Sequence, residues 1–475
     1  MIKPKNYPPG PVWLPFIGSS GILQKMTKKH GSEFRAFLEL SRQYSTNVLG
    51  MKTSSELLVI VYGGKNVRQV FNNNEFDARP HNFFAQLRCL GKKNMGITFA
   101  NGEIWKEHRQ FALKNLRHVG YGKTAMERHI QNELCRILEH IKNNEKQPTN
   151  LMSLLSESVM NVLWTYVAGE LIPEEKLRCL LELFRQRGKA FSVAGGLLNH
   201  LPWCRFIMPE ISGYSLITKI NQEINEIIEE AITKHKSKEI DKNDFIYLFL
   251  QEMYTNKSPT FTEEQLKVVC LDLLIAGTQT SSSVLGFGLL RVLKSQDIQD
   301  KIYKEIDRFI GDRMPCWNDS ERLAYTAAFI LEVHRYYMIV PLAGPRLVQK
   351  DTVIDEYLIP KGATVLISLG DICHDPKLWG DPHIFKPERF IDQNGKLKNS
   401  EYMYPFGLGR RRCPGDSLAK SFIFITLVGI LQKYRIQCAN GCIPSDTPVI
   451  GILASPMPYT AEFTPRVKDT QTNNE

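Results

Sequence analysis

The stretch EQLKVVCLDLLIAGTQTSSSVLGFGLLRVLK, Glu264 to Lys294, runs for about 30 residues without a proline. As an α-helix it would be about 45 Å long, enough to cross a domain, so the rest of the chain must pack around it. A second run, SFIFITLVGILQKY from Ser421 to Tyr434, is apolar on nearly every side and predicts a buried helix. Strand-like runs are fewer: SELLVIVYG early, DTVIDEYLIPKGATVLISL after the middle, and VIGILASPMPYTAEFTPR near the end. The expectation is a mainly α fold with small β-sheets. Polar breaks at 143–150 and 236–243 are too short for domain linkers, and no internal repeat interrupts the pattern.

Composition narrows the function classes. A net charge of +10 over 475 residues suits an anionic protein partner or membrane surface. The basic residues are scattered, with no finger, basic zipper or aromatic-basic RNA motif, so no nucleic-acid partner is expected. Ten irregularly spaced cysteines without a C-x-x-C pair point to a reducing, cytosol-facing setting. No window of about 18 uninterrupted apolar residues occurs, so neither a spanning helix nor a signal peptide is predicted. The opening MIKPKNYPPGPVWLPFIG is a stiff proline-rich lead-in.

Chemistry concentrates in FGLGRRRCPGDSLAK, Phe406 to Lys420. Three arginines precede Cys413, and a helix is predicted just after Pro414 and Gly415. Neighbouring cations and helix N-terminal amides lower a thiol's pKa, and the thiolate is what ligates metals. The stretch therefore reads as a holder for an ionised sulfur. The spacing F-x-x-G-x-R-x-C-x-G is complete here, a chance match on the order of 1 in 10⁴ for a chain this size. With these residues the sequence resembles the cytochrome P450s, haem-thiolate monooxygenases. The resemblance implies a triangular α-rich prism with haem b between the long central helix and the cysteine-loop helix. It also implies Cys413 as the axial iron ligand within a loop formed by Phe406, Gly409, Arg411 and Gly415.

Further stretches match the family in order. ILEVHRYY supplies Glu332 and Arg335, three apart on one helix face, and FKPERF supplies Arg389; the resemblance implies one buried ion network bracing the cysteine loop. GEIWKEHRQ supplies Trp105 and Arg109, and LAGPRLV supplies Arg346. With Arg411 these resemble the haem-propionate contacts, and three cations suit two carboxylates in an apolar pocket.

On the oxygen side, LDLLIAGTQTSS resembles the oxygen-activating helix. Ala276 and Gly277 are small, as a helix passing close over a macrocycle needs. The Thr280 hydroxyl could bond the Ala276 carbonyl and open the helix locally. Gln279 departs from the family, which carries an acid there. Matching substrate-contact segments implies a pocket of Phe99, Leu273, Ala276, Thr280, Val340, Leu342, Ala343 and Ile450. Asp272, one turn before Ala276, is either a polar anchor or a helix brace.

The expected activity inserts one oxygen atom of dioxygen into a terpenoid, steroid or fatty-acid-like molecule. No G-x-G-x-x-G follows a strand, so electrons would come from a separate NADPH-cytochrome P450 reductase, with cytochrome b5 as a second donor. The PPGP opening and the segment around Arg346 look most like microsomal animal members, including the insect group of methyl farnesoate epoxidase. That implies a monomer on the cytosolic face of the endoplasmic reticulum, with the anchor missing ahead of residues 1–18, one catalytic domain over 19–468 and a polar tail at 469–475. The segment 190–214, with Leu197, Leu198, Leu201, Trp203, Phe206, Ile207 and Met208, is expected to touch the membrane. Two competing readings are a haem-thiolate isomerase or dehydratase that needs no dioxygen, and a non-catalytic haem or ligand carrier.

Overall fold

The computed structural model describes residues 3–54, 56–190, 198, 201–237, 243–255, 258–398 and 400–466. Leu197 and most of the 236–243 break lie outside them, as does the 469–475 tail. Eight helices frame the site: α1 (Phe83–Arg88), α2 (Gly102–His118), α3 (Thr124–Asn143), α4 (Met152–Ala168), α5 (Tyr214–Lys236), α6 (Glu263–Lys294), α7 (Ala324–Tyr337) and α8 (Asp416–Lys433).

The long α6 is the run on which the sequence turned. Its N-cap Thr262 accepts the Gln265 N–H, glutamates occupy its first turn, and Arg291 and Lys294 close its last. By length and composition it could cross a membrane, unlike the sequence expectation; 67% of that apolar window is buried inside the protein, as befits a core helix. Helix α4 packs antiparallel against it. Gly277 faces Leu163, Thr278 faces Met160, and Gly286 faces Met152. A side chain at Gly277 would come within 2.6 Å of Leu163. The small residue serves this helix–helix contact as well as lining the cavity. Helix α8, buried along most of its length, packs against α6 and in turn against α3, where Gly429 faces Leu134.

A four-stranded sheet, in the order β1 (Val48–Thr53), β2 (Glu56–Val61), β6 (Thr364–Ser368) and β3 (Leu342–Leu347), closes the opposite flank. Its successive pairings are antiparallel, parallel and antiparallel. A register shift between Ala343 and Arg346 frees Gly344 and Pro345 from the ladder. Of the remaining strands, β4 (Thr352–Ile354) pairs with β5 (Tyr357–Ile359), β7 (Tyr434–Cys438) with β10 (Ala461–Pro465), and β8 (Val449–Ile450) with β9 (Ala454–Ser455). The small hairpin β8–β9 brings Ile450 back toward the centre, where it packs with Leu342 and Leu366.

Candidate active site

Cys413 sits where an irregular loop feeds α8. Its amide donates to the Phe406 carbonyl at 2.8 Å, closing the loop, and its sulfur accepts the Gly415 N–H at 3.3 Å. The Phe406 ring packs against His334, with centroids 5.8 Å apart. Gly409 is obligatory: its φ is +70°, and a Cβ there would land on the Phe71 carbonyl oxygen. Two of the three arginines, however, turn away from the sulfur. Arg410 pairs with Asp77 at 3.1 Å, and Arg411 donates to the Asp77, Ile97 and Ala100 carbonyls. The Arg412 carbonyl accepts from Arg109 at 2.5 Å. Burial raises the Cys413 pKa, and the Gly415 N–H and the more distant Arg109 and Lys420 offset this only in part. This corrects the reading of an arginine-ionised thiolate. A coordinated metal, not the arginines, is what deprotonates such a thiol.

The cations serve the other edge of the cavity. Arg411 lies over Trp105 at 3.8 Å from the ring centroid. Arg346 is buried, with Asp77 at 3.7 Å as its one acidic neighbour among the described residues. Arg79, unmarked in the sequence reading, joins them and donates to the carbonyls of Gly344 and Pro345, which the register shift exposes. Burial and mutual repulsion push these guanidinium pKa values down, Arg411 to about 9 and Arg346 to about 10, with Arg79 lowered in the same way and Arg109 lowered by burial and the neighbouring Arg412. Trp105 Nε1, Arg79 Nε and Arg346 Nε are buried without a hydrogen-bond acceptor. A cluster this short of negative charge and of acceptors fits the two propionates of a haem whose iron meets Cys413. Only the proline after Arg79 hints at its place, since it forces that segment to be extended.

Across the cavity runs α6. Thr280 Oγ1 donates to the Ala276 carbonyl at 3.1 Å, as its spacing predicts. The helix nevertheless remains α through this turn, so the expected local opening is not seen. The hydroxyl adds a bond to that carbonyl rather than replacing the backbone one. Gln279 lines the cavity beside Thr280.

Glu332, Arg335 and Arg389 do meet. Arg335 pairs bidentately with Glu332 at 2.7 Å, both fully buried, and Arg389 approaches Glu332 at 3.4 Å. Their other hydrogen bonds end on Cys373, Trp379, Asp381, Pro382, Ile384 and Lys386. The network ties down the segment before the cysteine loop; none of these bonds reaches the loop itself. Asp272 proves to be a brace: one oxygen accepts the N–H groups of Ile97 and Thr98 at 2.7 and 2.8 Å, and the other faces Arg88 at 3.2 Å.

These parts surround one cavity of about 1910 Å³. That is larger than an ordinary small-molecule pocket and leaves room for a substrate beside a macrocycle. Phe99, Leu273, Ala276 and Thr280 line it from the helical side, and Val340, Leu342, Ala343 and Ile450 from the sheet side.

A family model described as cytochrome P450 matches residues 8–463. A probable cytochrome P450 305a1 of Drosophila melanogaster is 38% identical over 98% of this chain and 95% of its own length. The farnesoate epoxidase of Bombyx mori is 34% identical over 97% and 94%, and cytochrome P450 2H1 of Gallus gallus 33% over 97% and 94%. Cys413, the arginines and Thr280 all fall inside a match that runs nearly end to end, and the chain belongs to the cytochrome P450 family of haem-thiolate monooxygenases.

Proposed function

We propose that this chain oxidises an apolar terpenoid, steroid or fatty-acid-like molecule by inserting one oxygen atom of dioxygen. The observation that carries this reading is the cavity, whose apolar wall of Phe99, Leu273, Val340, Leu342 and Ile450 leads to Thr280 and Cys413. Haem bound through Cys413 supplies the dioxygen chemistry, with the thiolate favouring O–O cleavage. The protein's own groups set the stage. The arginine cluster would hold the macrocycle by its carboxylates, and the small Ala276 leaves space in the cavity beside Thr280. Thr280, its proton shared with the Ala276 carbonyl, presents hydroxyl lone pairs to the cavity and can order water there. Gln279 orients water through its amide but has no proton to exchange near neutral pH.

In this reading residues 19–468 form one catalytic domain behind the proline-rich lead-in. Electrons reach it from NADPH-cytochrome P450 reductase, aided by cytochrome b5, at the cytosolic face of the endoplasmic reticulum. One relative is named a farnesoate epoxidase, which favours the terpenoid branch. The test is reconstitution with purified reductase and a panel of apolar ligands first screened by the haem Soret shift. NADPH-dependent product carrying one oxygen from dioxygen supports the reading. Fast rearrangement of an organic peroxide without reductase replaces it with the isomerase.

A further inference from the structure

Arg88 closes the short helix α1 and is 94% buried, its side chain only 6% exposed, yet it makes no hydrogen bond among the described residues. Its one ionic neighbour among the described residues is Asp272, with Nη1 3.2 Å from Oδ1. That contact is misaligned for hydrogen bonding, and both atoms remain buried and unpartnered. Asp272 is otherwise occupied, because its second oxygen holds the amides of Ile97 and Thr98. A guanidinium has five N–H donors, and leaving them unmade in a buried site is costly.

This cation is separate from the propionate cluster. Arg79, Arg109, Arg346 and Arg411 perturb one another, whereas the ionisable neighbours on which Arg88 acts are Asp272 and Cys89. Arg88 also lines the same cavity as Thr280, beside the apolar Ile97, Phe99 and Leu273. An apolar chamber with one guanidinium short of acceptors is a receptor for an apolar chain with a planar, two-oxygen end.

We infer that Arg88 binds the carboxylate of the substrate, so that the natural ligand is an apolar chain ending in a carboxylic acid. A carboxylate matches the guanidinium fork with two parallel hydrogen bonds. Asp272 stands two helical turns before Thr280, about 12 Å along the helix axis, so oxidation falls well along the chain from the acid. The inference refines the monooxygenase reading, but its binding step can be tested without turnover.

The probes are lauric acid, methyl laurate and lauryl alcohol, titrated into the haem-loaded full chain and followed by the Soret shift and by equilibrium dialysis. The wild type should bind the acid at least about tenfold more tightly than the alcohol. Arg88→Gln should bring acid and alcohol within about twofold of each other while leaving the alcohol's Kd unchanged, and Arg88→Lys should keep part of the preference. Equal wild-type affinity for acid and alcohol overturns the assignment whether or not the variants fold. So does an Arg88→Gln variant that weakens both alike, and equal affinity for acid and ester overturns the carboxylate. If the acid preference holds but no NADPH is consumed with reductase, the monooxygenase reading fails and this anchor stands.

Discussion

At the scale of single residues, the cysteine loop separates two glycines that look equivalent in the sequence. Gly409 combines a φ of +70° with a Cβ position on the Phe71 carbonyl, whereas Gly415 has an ordinary φ and a Cβ would sit 3.7 Å from the Cys413 sulfur. Gly409→Ala should therefore give little haem-loaded protein, the left-handed conformation alone costing about 1–2 kcal/mol. Gly415→Ala should load haem nearly normally, and haem content per chain with the melting temperature distinguishes the two. Similar behaviour of both variants would mean that the loop relaxes. Gln279 and Thr280 pose the proton question. Thr280→Ala should divert NADPH electrons to hydrogen peroxide, while Gln279→Glu should keep activity; peroxide formed per NADPH reads both. Unchanged coupling in Thr280→Ala removes its hydroxyl from the proton path. The loop residues were legible in the sequence because a metal-binding loop needs fixed types at fixed spacing. Arg79 was not, and the choice between anchor and brace at Asp272 stayed open, since both depend on chain segments that only the fold brings near.

Elements are held together by buried charge. Glu332 on α7 meets Arg335 from its own helix and Arg389 from a loop more than fifty residues away, all three at most 8% exposed. Removing one member strands the others, at a cost of about 3–5 kcal/mol. Glu332→Ala should thus give little haem-loaded protein, and wild-type haem content and melting temperature in that variant would contradict the network's importance. A second brace fastens the end of α5. His235 donates to the Ala231 carbonyl and meets Asp244 at 2.8 Å, both side chains being buried. Burial opposes its charge, but the bonds to Asp244 and Ala231 prevail and raise its pKa, with Glu170 adding to them. A raised folded-state pKa gives stability that is full below the unfolded value of about 6.5 and is lost as pH climbs through the folded value. The melting-temperature gap between wild type and His235→Gln should therefore be widest below about pH 6.5 and narrow above it. A gap that widens with pH would show the imidazole to be buried neutral. The long helices were legible because their apolar runs exceed any strand. Strands β1, β3 and β7 were not: LAGPRL contains a glycine and a proline, and only pairing with β6 makes it a strand.

Over the whole molecule, the arrangement followed from the resemblance because a buried helix of this length leaves few ways to seat a cofactor against a cysteine loop. What the sequence left even was the segment 190–214, readable as core or as membrane contact. Its described part divides. Leu198 is buried, but Leu201, Trp203, Phe206 and Ile207 are 38–74% exposed, and Ile211 is 79% exposed. Large apolar side chains held in water at adjacent positions mark a surface made to meet something apolar. Val12, Leu14, Phe16 and Ile17 of the proline-rich lead-in are exposed as well. Each side chain moved from water into the acyl boundary contributes about 1.5–3 kcal/mol, so three or four suffice for stable attachment. The net charge of +10 adds attraction to anionic lipid that salt removes, whereas the apolar part survives salt. The chain should float with liposomes containing anionic lipid, and a fraction should remain bound at high salt. The triple variant Trp203→Ser, Phe206→Ser, Ile207→Ser should lose that salt-resistant fraction with its haem content and melting temperature unchanged, because these side chains contribute little to the core. Recovery of the wild type wholly in the soluble fraction at low salt, or flotation of the triple variant like the wild type, would rule out this segment as the contact.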